Sequence, residues 1–241
     1  MASEVRNAAD VLARRLYEAG CRHAFGMPGG EVLTLVEALR RAGIEFVLAK
    51  HENAAGFMAE AAFQLTGAPG LMVATIGPGV MNCVNAVANA AQERVALIVL
   101  TGCVDEDETH HYTHQVVDHR AVLAPVTKAS FRLSAGAADI IADKAVTIAQ
   151  EGRPGPVHID VPISVAGATA APSQLSRRPP ASPAAPAPGA DLDAAREWLT
   201  RAERPVALLG LDVMNERCGA EVQAFLEAHA IPFLTTYKAK G

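Results

Sequence analysis

The chain has 241 residues, half of them hydrophobic, with 21 basic and 26 acidic side chains for a formal net charge of −5. That length holds one full domain plus part of another, and the absence of a Lys/Arg stripe argues against nucleic acid as a partner. The most apolar run, Val95–Leu100, is too short to span a bilayer, and Cys21, Cys83, Cys103 and Cys218 form no C-x-x-C pair, so a cytoplasmic protein with reduced thiols and no membrane partner is expected.

Helical periods alternate with short β-rich runs. Residues 7–19 predict a helix and Arg22–Phe25 a strand; 31–42 a helix and Ile44–Leu48 a strand; 52–66 a helix and Leu71–Thr75 a strand. Residues 80–91 predict a helix and Val95–Thr101 a strand; 138–150 a helix and Val157–Val161 a strand. Gly20, Gly43, Gly67 and Gly152 sit where a left-handed helix cap is wanted. The strands are near-continuous apolar runs, as when helices cover both faces of a sheet. The expected fold is therefore α/β, a doubly wound parallel sheet flanked by helices in three layers, followed by an incomplete second α/β domain.

Residues 102–124 break the rhythm and read as a long loop over a site. Its histidines, His110, His111, His114 and His119, lack the spacing of a zinc site, so no metal is assigned and a solvated, mobile loop is expected. His158 reads as a satisfied core histidine. Residues 166–190 are rich in Ala and Pro and predict a linker. Beyond it, Asp191 is expected to cap a helix to about 202, then Val206–Leu211 a strand, 215–229 a helix and Ile231–Thr235 a strand. Two strands and two helices do not close a core, so 191–241 reads as the truncated start of a second domain.

Three strand-to-helix turns carry the chemistry. Gly26-Met27-Pro28-Gly29-Gly30 frees the backbone for close approach of a ligand, or is simply a tight turn. Lys50-His51-Glu52-Asn53 puts an acid at the head of a helix rich in small residues. Glu52 there either satisfies the helix dipole or, buried, has a raised pKa and shares a proton with a ligand. Thr75-Ile76-Gly77-Pro78-Gly79-Val80-Met81-Asn82 repeats the strand, Gly-rich turn and helix, without the Lys of a P-loop.

Taken together, GMPGG, KHENAAGFMAEAAFQLTGAPG, ATIGPGVMNCVNAVANA, LIVLTG, Gln115, Pro125-Val126-Thr127-Lys128 and GPVHIDVP resemble the thiamine-diphosphate enzymes of the acetolactate synthase, benzoylformate decarboxylase and pyruvate decarboxylase group. The resemblance runs from about residue 5 to 165 and weakly beyond. It implies a pyrimidine-binding domain over 1–165, with Glu52 bonding a ring nitrogen of the cofactor's aminopyrimidine so that a thiazolium proton can leave. It also implies that Pro28, Gly29, Gly30, Thr75, Gly77, Pro78, Gly79 and Asn82 line the pyrimidine side, with Gln115 and Lys128 beside a 2-oxo acid substrate. The implied activity is that of a decarboxylase or carboligase, acetolactate synthase-like, within branched-chain amino acid biosynthesis.

The same resemblance implies Mg2+ and the diphosphate held by a diphosphate-binding domain of a second subunit, in a homo-oligomer (dimer or tetramer), with FAD in the intact enzyme an open point. No Gly-Asp-Gly followed by Asn-Asn occurs here, so this polypeptide alone is expected to be inactive. His114 where Phe is usual, Ala129 where His is usual, Val95-Ala96 and Pro162-Ile163-Ser164-Val165 depart from the acetolactate synthase pattern. A separate pyrimidine-domain subunit, and a benzoylformate- or sulfopyruvate-type decarboxylase, stay open as alternatives.

Overall fold

Asn7 starts the first helix with a reciprocal cap: its side chain accepts the N–H of Asp10, and the Asp10 carboxylate accepts the N–H of Asn7. From there the computed structural model describes residues 6–170 and 185–240, in two compact units, Met1–Pro180 and Ala181–Gly241. The first unit runs β1 (Arg6–Asn7), α1 (Ala8–Glu18), β2 (His23–Met27), α2 (Leu33–Ala42), β3 (Glu45–Leu48), α3 (Glu52–Thr66), β4 (Gly70–Ala74) and α4 (Pro78–Glu93). It continues with β5 (Leu97–Cys103), α5 (His119–Leu123), β6 (Ala129–Arg132), α6 (Ala138–Gln150), β7 (Val157–Pro162), α7 (Ile163–Gly167) and β8 (Thr169–Ala170).

Six of these strands form one parallel sheet in the order β3-β2-β4-β5-β7-β6. Every residue of β4, β5 and β7 is buried, which is why their sequences are apolar without alternation. The two faces still sort by the period of two. Leu71, Val73, Ile98 and Leu100 meet Leu12, Leu16, Leu35 and Leu39 of α1 and α2, and Val146 of α6. Met72, Leu97 and Val99 meet Ala59 of α3 and Val80 and Val87 of α4. The result is the expected three-layer α/β architecture. The chain steps outward from β2 to β3 and then back past β2 to β4, so the order reverses between β2 and β4. Clefts for ligands open at the carboxyl ends of strands at such a reversal. All four anticipated cap glycines have positive φ (98°, 92°, 74° and 60° at Gly20, Gly43, Gly67 and Gly152).

Several expectations need correction. β6 was not anticipated: Ala129-Ser130-Phe131-Arg132 is half-buried and weakly apolar, and it is a strand because β7 pairs with it. The 102–124 segment contains α5, capped by the Asp118 side chain accepting the N–H of Ala121. His119 at its start is buried, so it is no part of a solvated loop. The first residues assigned to the linker belong to α7 and to β8, which pairs antiparallel with β1; positions 171–184 lie outside the described residues.

The second unit holds α8 (Ala190–Arg201), β9 (Ala207–Leu209), α9 (Asp212–Asn215), α10 (Gly219–Ala228) and β10 (Phe233–Thr235), with β9 and β10 parallel. Gly189, not Asp191, is the N-cap of α8. The helix expected over 215–229 starts only at Gly219, as α10, since Arg217 takes a left-handed φ of 53°; the short α9 precedes it.

Candidate functional site

The loops leaving β2, β3 and β4 meet beside the reversal. A Cβ on Gly29 would collide with the Thr75 hydroxyl, and one on Gly79 would lie 2.9 Å from Thr75 Cγ2 and 3.3 Å from Glu52 Oε1. Glycine at both positions therefore lets the first and third turns close on Thr75 and on the Glu52 carboxylate. The Thr75 hydroxyl donates to Glu31 Oε2 at 2.7 Å, which ties the first turn to the third. Pro28 is half-buried, and Gly30 and Pro78 lie on the exposed rim.

Glu52 is only 5% exposed although it heads α3. Asn82 Nδ2 donates to its Oε2 at 3.0 Å. Oε1 has no hydrogen-bond partner among the described residues. Two more asparagines of α4 continue the seam: Asn85 Nδ2 donates to Asn53 Oδ1 at 3.1 Å, and Asn89 Nδ2 to the buried Glu60 at 2.9 Å. Residues 82, 85 and 89 share one face of a helix. Between them Gly56 packs so tightly on Ala86 that a Cβ could not fit. This seam fixes the orientation of Glu52. Burial first, and then the Glu52 charge, push the Cys83 thiol up to about 12. Cys83 is thus an unreactive neighbour of the carboxylate.

The third turn is braced from behind. Gly77 takes φ 58° and ψ −110°, and its N–H donates to His119 Nε2 at 3.0 Å. His119 Nδ1 lies 2.9 Å from Asp160 Oδ1. Burial pushes the Asp160 carboxyl up, but bonds from His119, His158 and Thr101 outweigh it and hold the group well below the usual carboxylate range. His158 is fully buried between Thr101 and Ser130, as a satisfied core histidine should be. Next to this group lies a cavity of about 240 Å³ whose lining includes Ile76, Val116, His119, Arg132 and Asp160.

The structure brings Gly29, Thr75, Gly77, Gly79, Glu52 and Asn82 to one edge, and seats Gln115 there too, since its backbone lies where a Gly77 Cβ would be. It does not bring Lys128. That residue precedes β6 at the opposite, amino-terminal edge, where its N–H bonds the Pro156 carbonyl and its Nζ donates to the Glu151 carbonyl at 2.7 Å. Within this chain, β6 carries Lys128 the length of the sheet away from Glu52. Glu31, His119 and Asp160 went unassigned. An acid directly after Gly29-Gly30 was a usable signal for Glu31, as was the 82/85/89 spacing for the seam. His119 and Asp160 had none, because their partners are 41 and 42 positions away. Among the described residues no group of three or more His, Cys, Asp or Glu could hold a metal ion, and no helix is long and apolar enough to cross a membrane.

Residues 6–122 match the family described as thiamine pyrophosphate enzyme, N-terminal TPP binding domain. The acetolactate synthase isozyme 1 large subunit of Escherichia coli (strain K12) is 33% identical over 239 residues, covering 97% of this chain and 42% of the relative. Isozyme 3 of the same organism is 30% identical over 246 residues, covering 99% and 42%. The acetolactate synthase of Bacillus subtilis (strain 168) is 31% identical over 238 residues, covering 97% and 41%. The chain spans less than half the length of these relatives.

Proposed function

We propose that the cleft at the β2/β4 reversal takes the aminopyrimidine of thiamine diphosphate and that Glu52 exchanges a proton with it; the match of residues 6–122 to the N-terminal TPP binding domain of thiamine pyrophosphate enzymes and the likeness to the acetolactate synthase large subunit support this reading. The observation that carries this reading is the Glu52 carboxylate: buried, held on one oxygen by Asn82, and with its other oxygen beside the Gly79 backbone and free to accept. The Oε1 of Glu52, unpartnered among the described residues, fits a ring nitrogen that shares a proton. Glycine at Gly29 and Gly79 lets both turns close on Thr75, which Glu31 fixes between them, beside Glu52 Oε1.

When bound, the cofactor supplies the electron sink for decarboxylating a 2-oxo acid. Glu52 holds and moves a proton at Oε1, Asn82 keeps the carboxylate from rotating, and the glycine turns set the ring's depth. Gln115, seated on Gly77, faces the substrate side. Mg2+ and the diphosphate belong to a diphosphate-binding domain from a second subunit of a homo-oligomer. In this reading 1–165 is the pyrimidine-binding domain and 191–241 the start of a central α/β domain, within an acetolactate synthase-like carboligase. Glu52→Gln keeps the shape and the Asn82 contact but cannot exchange the proton. In the intact enzyme it is expected to lower 2-oxo acid decarboxylation by roughly 10²–10⁴-fold. Unchanged turnover would end the proposal.

A further inference from the structure

Two hydrogen-bonded chains converge on one carboxylate oxygen. From one side Ser130 Oγ lies 2.6 Å from His158 Nδ1, His158 Nε2 lies 2.7 Å from Thr101 Oγ1, and Thr101 donates to Asp160 Oδ1 at 2.6 Å. From the other side the Gly77 N–H donates to His119 Nε2 at 3.0 Å, and His119 Nδ1 lies 2.9 Å from the same Asp160 oxygen. A backbone amide can only donate, so Nε2 of His119 is the bare nitrogen and Nδ1 carries the proton that Asp160 accepts. The carboxylate thereby selects the tautomer that offers an acceptor to Gly77. His119 is 2% exposed and Asp160 4%, so water does not substitute for either partner.

Gly77 is gripped twice by one short segment. His119 takes its N–H, and four positions earlier the Gln115 backbone, at a φ of 59°, occupies the space a side chain on Gly77 would need. Gly77 is also the N-cap of α4, the helix that carries Gly79 and Asn82 to Glu52. We propose that His119 is a positioning residue: set by Asp160, it pins the Gly77 amide, seats the 115–118 segment on the third turn, and so holds the start of α4 in register with Glu52. Its consequence for catalysis rests on the cofactor reading above; the latch itself does not.

Amide hydrogen exchange on the cofactor-free protein tests it, with Leu100 in the buried β5 as the reference for global unfolding. His119→Leu is expected to speed exchange at Gly77 by about ten-fold or more, and to speed the amides of 115–117, while Leu100 is unchanged. His119→Gln, whose amide oxygen can accept the Gly77 N–H, is expected to restore protection to within about three-fold of the parent. Equal exchange at Gly77 in all three proteins overturns the proposal. If His119→Leu also loosens Leu100, the glutamine variant decides: parent-like protection at Gly77 supports the latch, and leucine-like loss overturns it. The outcome is independent of Glu52→Gln, so failure of the latch and failure of the cofactor reading are told apart.

Discussion

At the carboxyl ends of β2, β3 and β4 the side chains that tie the turns together include three acceptors: Glu31 for the Thr75 hydroxyl, Glu52 for the Asn82 amide and the bare nitrogen of His119 for the Gly77 N–H. At the amino end of β6 the corresponding side chain is a donor: Lys128 Nζ bonds the carbonyl of Glu151, the C-cap residue of α6. Helix polarity explains the contrast. In a parallel α/β fold each helix after a strand points its N-terminus, with its unpaired N–H groups, at the carboxyl edge, and returns its C-terminal carbonyls to the other edge. One edge is therefore suited to carboxylates and anionic ligands, and the other to cations. Lys128 stabilises a helix end; Glu52, heading α3, is additionally buried beside a glycine turn, and that is what makes it a candidate for chemistry.

The contrast between the edges can be broken most sharply by activity. In the intact enzyme the ratio of Lys128→Gln to Glu52→Gln turnover is expected to exceed about 100, since in the proposed reading the proton is exchanged at Glu52. A lysine variant as damaged as the glutamate variant would place both edges in the mechanism. Next in size is Gly29→Ala, whose Cβ collides with Thr75. It should cost about 1–3 kcal/mol of packing and weaken thiamine diphosphate binding about ten-fold or more in a calorimetric titration.

Asp160→Asn sharpens the electrostatic side. The folded-state pKa of Asp160 is depressed, so its contribution to stability is present above the unfolded value of about 3.9 and is lost as pH falls through the folded value. Urea unfolding from pH 6 downward should show a shallower loss of stability below about pH 4 in the variant than in the parent. An identical slope would mean that the carboxylate is not what the two histidines hold. The smallest effect is expected at the amino edge: Lys128→Met should change thermal stability by less than about 1 kcal/mol, because a single exposed donor at a helix end is lost.

The period of the apolar residues and the glycines at 20, 43 and 67 were enough to read the helices and strands from 7 to 101, because those signals are local: a helix shows its face every three to four residues, and a cap needs φ above zero. The glycine turns and Glu52 were legible for the same reason. The order β3-β2-β4-β5-β7-β6, the strand status of β6, and with it the placing of Lys128 on the far edge, depended on pairing between segments far apart in the chain. So did Thr75 on Glu31, 44 positions apart, and His119 between Gly77 and Asp160. Residue type announced that an acid and two flexible turns were present. Only the packed sheet decided which acceptor meets which donor, since a buried hydrogen bond is chosen by what the fold brings within 3 Å and not by any neighbour in sequence.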